Sequence, residues 1–582
     1  MQRAPTPLFL QLQGLFKRLD PAWCVRCDEV LSALLTANDQ GHACLQLHKD
    51  LCQRLIASPL CGHAGAYTPL ILDDENWVYF ARHWFDETVL LVRLVQLAKT
   101  RVDVAPETLR PWLDRLFPQG PGVASQRLAA ALAIRQRLLI ISGGPGTGKT
   151  STVVRLLALL ILSSKQPLAI ALCAPTGKAA ARLNEALARA ADTLNVDAHI
   201  RAQLPRRAQT LHHLLKLRPD QTAPHYHAGH PLPLDVLVID EASMVDLHLM
   251  ARTLDALPPS ARLILLGDHN QLASVEVGSV LADLCAHIAY RPETLAWLAQ
   301  LDCQPNTPLL GEDGLSDCIV RLTHSYRFAS DSAIATLSTY INAGKGEATL
   351  SLLRDKAYPD VSWLESTTGD LFYHKRDDYL RLATTTDASP DAVLQQFGGF
   401  MPLATECQHV MAINQQIEHE LENIGLKTPG RAWYAGRAVM ITVNDYTLEI
   451  FNGDIGFTLL HAEGLQVWFP AKEGGWRAFA PARLPAHETV FAMTVHKSQG
   501  SEYDEVWLVL PPTANLVLDR ALLYTALTRA KSRFTICGHR DVLCQAMDKA
   551  PHRHSRLAER IAGHALQAAP NESPTQSFQV IA

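Results

Sequence analysis

Short apolar runs recur through the middle of the chain, and each stops at polar or glycine-rich residues. Leu138–Ile141, Ala169–Cys173, Val236–Ile239 and Leu263–Leu266 are of this kind. Runs this short, without polar alternation, suit strands covered on both faces. Helix-like stretches separate them, and Ser151–Leu162 contains neither Gly nor Pro. Strand–helix alternation predicts a parallel sheet with helices on both sides. The runs Phe491–Thr494 and Val506–Leu510, followed by a helix from Asp519 to Lys531, predict a second α/β unit. Within the second unit, ahead of these runs, residues 430–485 change character. Val439–Val443, Gly456–Leu460 and Val467–Phe469 are short strand-like pieces divided by turns, and they predict a small β insertion. Before the first unit the pattern is helical, most clearly in Val89–Lys99.

The break PQGPGV at Pro118–Val123 marks a boundary. The expected division is a mainly helical unit over 1–118, a first α/β domain over 119–343, a second over 344–560, and a flexible tail over 561–582. At 582 residues the chain is too long for one core. With 48% hydrophobic and 19% charged residues the composition is globular. No apolar stretch is long enough to span a bilayer. The start, MQRAPTPLFLQLQGLFKRLD, lacks a signal-peptide core, so a cytoplasmic location without membrane partners is expected. The net charge of −5 does not advertise nucleic-acid binding, although a local basic groove would suffice for one strand. Cys24 and Cys27 form a C-x-x-C, with Cys44, Cys52 and Cys61 following. A second C-x-x-C is missing, which favours reduced, mostly buried thiols over a metal centre.

The strongest chemical signal is GGPGTGKT, comprising Gly143, Gly144, Pro145, Gly146, Thr147, Gly148, Lys149 and Thr150. It sits between a buried strand and a helix, the context a phosphate-binding loop requires. Its backbone N–H groups and the helix start would face phosphate oxygens. Lys149 would reach the β- and γ-phosphates of ATP, and the Thr150 hydroxyl would hold Mg²⁺. Asp240 and Glu241 end the run VLVI, where Asp240 would hold Mg²⁺ and Glu241 would orient and deprotonate water. Gln271, in LGDHNQ, is placed either to sense the γ-phosphate or merely to cap a helix. Gln126, one helix upstream of the loop, carries the amide that suits adenine. Thr176 and Lys178, in APTGKAAARL, start a helix suited to a nucleic-acid phosphate. Arg327 in SYRF and Arg529 in YTALTRAKSR are either structural ion-pair partners or guanidinium groups for the transferring phosphoryl.

Taken in order, GGPGTGKT, APTGKAAARL, VIDEASM, LGDHNQLASVEVG, SYRF, FNGDIG, AMTVHKSQGSEYDEV and YTALTRAKSR resemble a superfamily 1 helicase of the 5′→3′ branch. The resemblance runs from Gln126 to about Arg533. It implies two RecA-like motor domains, an SH3-like insertion in the second, and a partner-docking N-terminal domain. It also implies ATP-driven movement on single-stranded and end-opened double-stranded DNA in recombinational repair, as one subunit of a heterotrimer. No nuclease signature is apparent, so nuclease chemistry is expected in a partner. On the same resemblance, Gly500 and Glu502 would approach the phosphate and ribose. Thr176, Thr210, His212, Asn452, Thr494, His496 and Lys497 would hold the single strand. A stand-alone helicase is disfavoured by the lack of helix-hairpin-helix repeats before Pro118. A binding subunit with a regulatory ATP site is weakened by the intact catalytic set.

Overall fold

The apolar runs become strands in a computed structural model that describes residues 6–218, 224–305, 310–311, 314–328, 332–365, 368–384, 391, 399–445, 447–461, 464–471, 475–551 and 553–564. Six parallel strands form the first large sheet, in the order Ile319–Leu322, Leu138–Gly143, Arg262–Gly267, Val236–Ile239, Ile170–Ala174, Ala208–Thr210. Successive residues of a strand point to opposite faces, and both faces are covered. Leu139 and Ile141 pack under the helices Val123–Arg135 and Lys149–Ser163. Leu138 and Ile140 pack under Ala81–Lys99 and Leu247–Ala256.

Ala81–Lys99 and Pro106–Leu116 therefore belong to the core of the first motor, although the sequence assigned them to the unit ending at 118. The Pro/Gly break at 118–123 turns the chain between two helices of one layer, Pro106–Leu116 and Val123–Arg135; it does not separate two cores. The N-terminal unit has its own small core around Phe16, Leu31, Leu34, Leu55, Leu70 and Val78. Besides helices it contains a four-stranded sheet, ordered Cys44–Gln46, Trp77–Phe80, Leu70–Leu72, Cys61–His63. Strands of three or four residues leave too little alternation to be read from sequence.

The second large sheet has five parallel strands, ordered Val361–Leu364, Ala530–Cys537, Tyr503–Val509, Phe400–Ala404, Met493–Thr494. The helix expected over Asp519–Lys531 spans Arg520–Leu527, and Lys531 already lies in a strand. Ala333–Asn342 buries Ile334, Leu337 and Ile341 in this second core, so the packing divides the motors before Ala333 rather than at 343. The insertion is a five-stranded antiparallel sheet built on Val439, Ile441, Val467 and Phe469, and its last strand runs to Thr489, past the expected end at 485.

The tail expected over 561–582 needs correction at its start. Leu557–His564 is a helix, with Leu557 and Ile561 buried in the core of the first motor. Arg560 pairs at 2.9 Å with Glu87, which is fully buried. Residues 565–582 lie outside the described residues. Among the described residues no helix is long and apolar enough to cross a membrane.

Candidate active site

In parallel sheets, ligand-binding loops cluster beyond the C-terminal ends of the strands. The first sheet places the glycine loop, Asp240, Asp268–Gln271 and Ser325–Arg327 at that edge. The loop curls through left-handed conformations at Gly146 (φ 74°) and Gly148 (φ 78°). A Cβ on Gly146 would come within 2.3 Å of the Cβ of Arg327. The loop can therefore lie this close to Arg327 only with glycine there. Lys149 Nζ donates to the carbonyls of Gly143 at 2.6 Å and Gly144 at 3.1 Å. Thr147 Oγ1 also donates to Gly144 O, at 2.8 Å.

The SYRF segment closes one side of the loop. Tyr326 N–H donates to Gly146 O at 2.8 Å, and its phenol donates to Pro121 O at 2.9 Å. Gln126 lies beneath, with Nε2 donating to Thr147 O at 3.4 Å. Its amide is thus at the loop.

Asp240 lies opposite, its carboxyl pushed up to about 6 by burial and then by Glu241, with Lys149 pulling the other way. A half-buried carboxylate beside a second acid fits a divalent cation, which would relieve both effects. Thr150, the second residue of the helix after the loop, supplies a hydroxyl of the right class. Glu241 is held at φ 51°, a left-handed backbone that a non-glycine residue rarely adopts.

The second motor meets this edge with the segments that precede its strands. Tyr524 donates to Asp268 Oδ2 at 2.8 Å, and Gln271 Nε2 donates to the same oxygen at 3.3 Å. Leu272 N–H donates to Thr525 Oγ1 at 2.8 Å, and Gln499 Nε2 donates to Leu272 O at 3.0 Å. Arg327 pairs with Glu502 at 2.5 Å, and Arg182 approaches the other Glu502 oxygen at 3.6 Å. Burial raises the Glu502 carboxyl, but Arg327 and Arg182 outweigh it and hold the group below its ordinary range. Arg529 is buried, donating to Thr525 O, Ser501 O and Thr528 Oγ1 at 3.1–3.2 Å. Burial weakens its hold on the proton, while the charges of Glu241 and Glu502 strengthen it. Lys149, Asp240, Glu241, Gln271, Arg327, Glu502 and Arg529 thus surround one cleft.

The residues expected to grip a strand lie at separate stations. Thr176 caps the helix Gly177–Asp192, accepting from Ala179 N–H, and Thr210 caps Leu211–Leu214. His212 is exposed beside Thr210. Thr494 is buried and accepts from Lys497 N–H at 3.2 Å. Lys497 pairs with Glu488 at 2.7 Å, and burial lowers the His496 imidazole. Asn452 is exposed on the insertion, its N–H bound by Asn444 Oδ1. Lys178 lines a cavity of about 290 Å³ between the motors, shared with Arg182, Asp454 and Glu502. Burial, then Arg182, pulls its ammonium down to about 8. Gly500 (φ 70°) approaches Ala179 across the same gap.

Asp268, Tyr524, Thr525, Gln499 and Arg182 were not singled out by sequence, although each lies in a motif already noted. Their side chains act across the cleft, and the motif strings carry no sign of which side chains meet.

An AAA domain family matches residues 126–277, and a UvrD-like helicase C-terminal domain matches residues 489–537. The RecBCD enzyme subunit RecD of Haemophilus influenzae is 36% identical over 552 residues, spanning 86% of this chain and 83% of that protein. The ATP-dependent RecD2 DNA helicase of Deinococcus radiodurans is 30% identical, over 74% of this chain and 51% of that protein. The Bacteroides Pif1 helicase, solved with ADP-AlF3 and ssDNA, aligns with 69% of this chain and 88% of its own at 18% identity, with a TM-score of 0.36.

Proposed function

The chain belongs to the RecD family, and from that premise we propose that it is an ATP-driven 5′→3′ DNA helicase subunit, working in the cytoplasm on double-strand ends during recombinational repair. Its partners are RecB-like and RecC-like subunits in a heterotrimer, with the nuclease centre in one of them. The observation that carries this reading is the clasp across the cleft: Tyr524 on Asp268 and Glu502 on Arg327, beside the phosphate loop.

Gly143–Thr150 bind the triphosphate of ATP, with Gln126 at the adenine. Thr150 and Asp240 hold Mg²⁺, which neutralises phosphate charge when bound. Glu241 orients and deprotonates the attacking water. Lys149 leaves the Gly143 and Gly144 carbonyls for the phosphates. Gln271 senses the γ-phosphate, and Arg327 and Arg529 balance the charge that spreads over it. Gly500 and Glu502 approach from the second motor.

Thr176, Lys178, Thr210 and His212 on one motor, and Asn452, Thr494, His496 and Lys497 on the other, give two grips on a strand. Opening one base-pair step costs about 1.4 kcal/mol, and stacking a freed base returns roughly 1–3 kcal/mol. Trapping an opened strand therefore needs no fuel, but repeated travel in one direction does. Closing and reopening of the cleft supplies that direction by shifting one grip relative to the other.

Strand separation on duplexes with a 5′ or a 3′ overhang, by the chain alone and with its partner subunits, tests this reading. Unwinding from the 5′ overhang alone is expected. ATP turnover without unwinding of either substrate would instead favour a regulatory ATP site.

A further inference from the structure

The C-x-x-C pair takes no part in the cleft. Cys24 is the N-cap of the helix Val25–Asp39 and is exposed, whereas Cys27, one turn further, is buried. Their sulfurs touch at 3.4 Å. A disulfide bond is about 2.05 Å long, so small rotations of the two side chains would join them.

The two thiols are chemically unequal. The backbone N–H and the thiol of Cys27 hydrogen-bond Cys24 and hold its thiol below the ordinary range. Burial pushes the Cys27 thiol up to about 11. An outer thiol that ionises readily and an inner one that stays protonated match the two successive tasks of thiol–disulfide exchange. The other cysteines differ. Cys407 is exposed and Cys544 is half-buried, neither touching a second sulfur among the described residues, and the rest are buried.

We propose that Cys24 and Cys27 form a redox-active dithiol that exchanges with low-molecular-weight disulfides. The Cys24 thiolate attacks one sulfur of the disulfide, whose S–S bond breaks and releases one thiolate. Cys27 passes its proton to the released thiolate and attacks the Cys24 sulfur in the mixed disulfide, which releases the second thiolate. Two protein thiols are oxidised and one disulfide is reduced to two thiols. The reverse steps restore the pair.

The site lies where the first helix is seated. Asp28, next to Cys27, accepts from Trp23 Nε1 and Gln13 Nε2, both at 2.8 Å, and pairs with Lys17 at 2.9 Å. Phe16 packs edge-on to Trp23 at 5.0 Å. Oxidation therefore alters the helix turn on which Pro7–Leu19 rests.

The full-length chain is equilibrated in buffers of varied reduced-to-oxidised glutathione ratio, quenched and alkylated, and its peptides are weighed. Cys24 and Cys27 are expected to lose alkylation together, at one midpoint, as an intramolecular disulfide. Cys27→Ser is expected to stop at a glutathione adduct on Cys24, formed at least tenfold faster than on Cys407 of the same chain. Cys24→Ser is expected to leave Cys27 alkylatable in its denatured peptide at every ratio. Full alkylation of both cysteines in the wild-type chain throughout, or an adduct at Cys24 no faster than at Cys407, would overturn the assignment.

Discussion

Tyr524 and Asp268, which are 256 positions apart in sequence, share a 2.8 Å hydrogen bond in the buried floor of the cleft between the motors. The same carboxylate oxygen receives Gln271, and Tyr524 lies on the helix that leads to Arg529. One oxygen thus ties Gln271, on the first motor, to the helix of the second motor that leads to Arg529. A hydrogen bond to a charged group contributes about 1.5–3 kcal/mol. Tyr524→Phe is expected to lower the kcat of DNA-stimulated ATP hydrolysis by roughly 10–100-fold, with KM for ATP within about threefold. A wild-type kcat would remove the contact from the working cycle.

Lys149→Ala removes the side chain that bridges the Gly143 and Gly144 carbonyls from the helix start. ATP turnover is expected to vanish while single-strand DNA affinity, read by fluorescence anisotropy, stays near wild type. The proposed DNA grips lie on other loops, so a parallel loss of DNA binding would contradict this separation of tasks.

Arg529 is held in place by three hydrogen bonds, to Thr525 O, Ser501 O and Thr528 Oγ1. An inserted arginine contributes roughly 10³–10⁵ in rate for phosphoryl transfer. Arg529→Ala is expected to keep nucleotide affinity within a few-fold and to lose turnover on that scale. Equilibrium binding of a fluorescent ATP analogue, with single-turnover hydrolysis, separates the two effects.

Glu87 has no exposed surface and depends on Arg560 at 2.9 Å and the Arg556 N–H at 3.4 Å. Breaking a buried ion pair from one side costs about 3–5 kcal/mol, because the remaining charge is stranded. Arg560→Ala is expected to lower the first thermal transition by several degrees. Adding Glu87→Gln is expected to restore part of the loss; a double variant as unstable as the single one would refute the stranded-charge account.

Asp283 gives a pH signature. Burial pushes its carboxyl up to about 7, and its Oδ2 has no hydrogen-bond partner among the described residues. The raised value means that the fold favours the neutral acid. Its contribution is full below the unfolded value near 4 and is lost as pH rises through about 7. Asp283→Asn should therefore stabilise the chain by a few kcal/mol at pH 8, with the gain shrinking as pH falls toward 4. Thermal melts at both pH values check the sign, and a gain larger at low pH would reverse it.

The sequence by itself determined whatever is built from contiguous residues. A strand covered on both faces needs an unbroken apolar run, so Leu138–Ile141 and Val236–Ile239 were legible as strands. A phosphate cradle is one loop between one strand and one helix, so Gly143–Thr150 could be recognised at sight. Only the tertiary structure decided which distant side chains meet and where one core ends. Val89–Lys99 reads as a helix whichever unit it covers, and only the packing of Ala81–Lys99 on Leu138 and Ile140 assigns it to the first motor. Arg327 and Glu502 are 175 positions apart. Their pairing depends on how two independently patterned sheets dock, and hydrophobic periodicity, which records only the face a residue shows its own core, carries no trace of that docking.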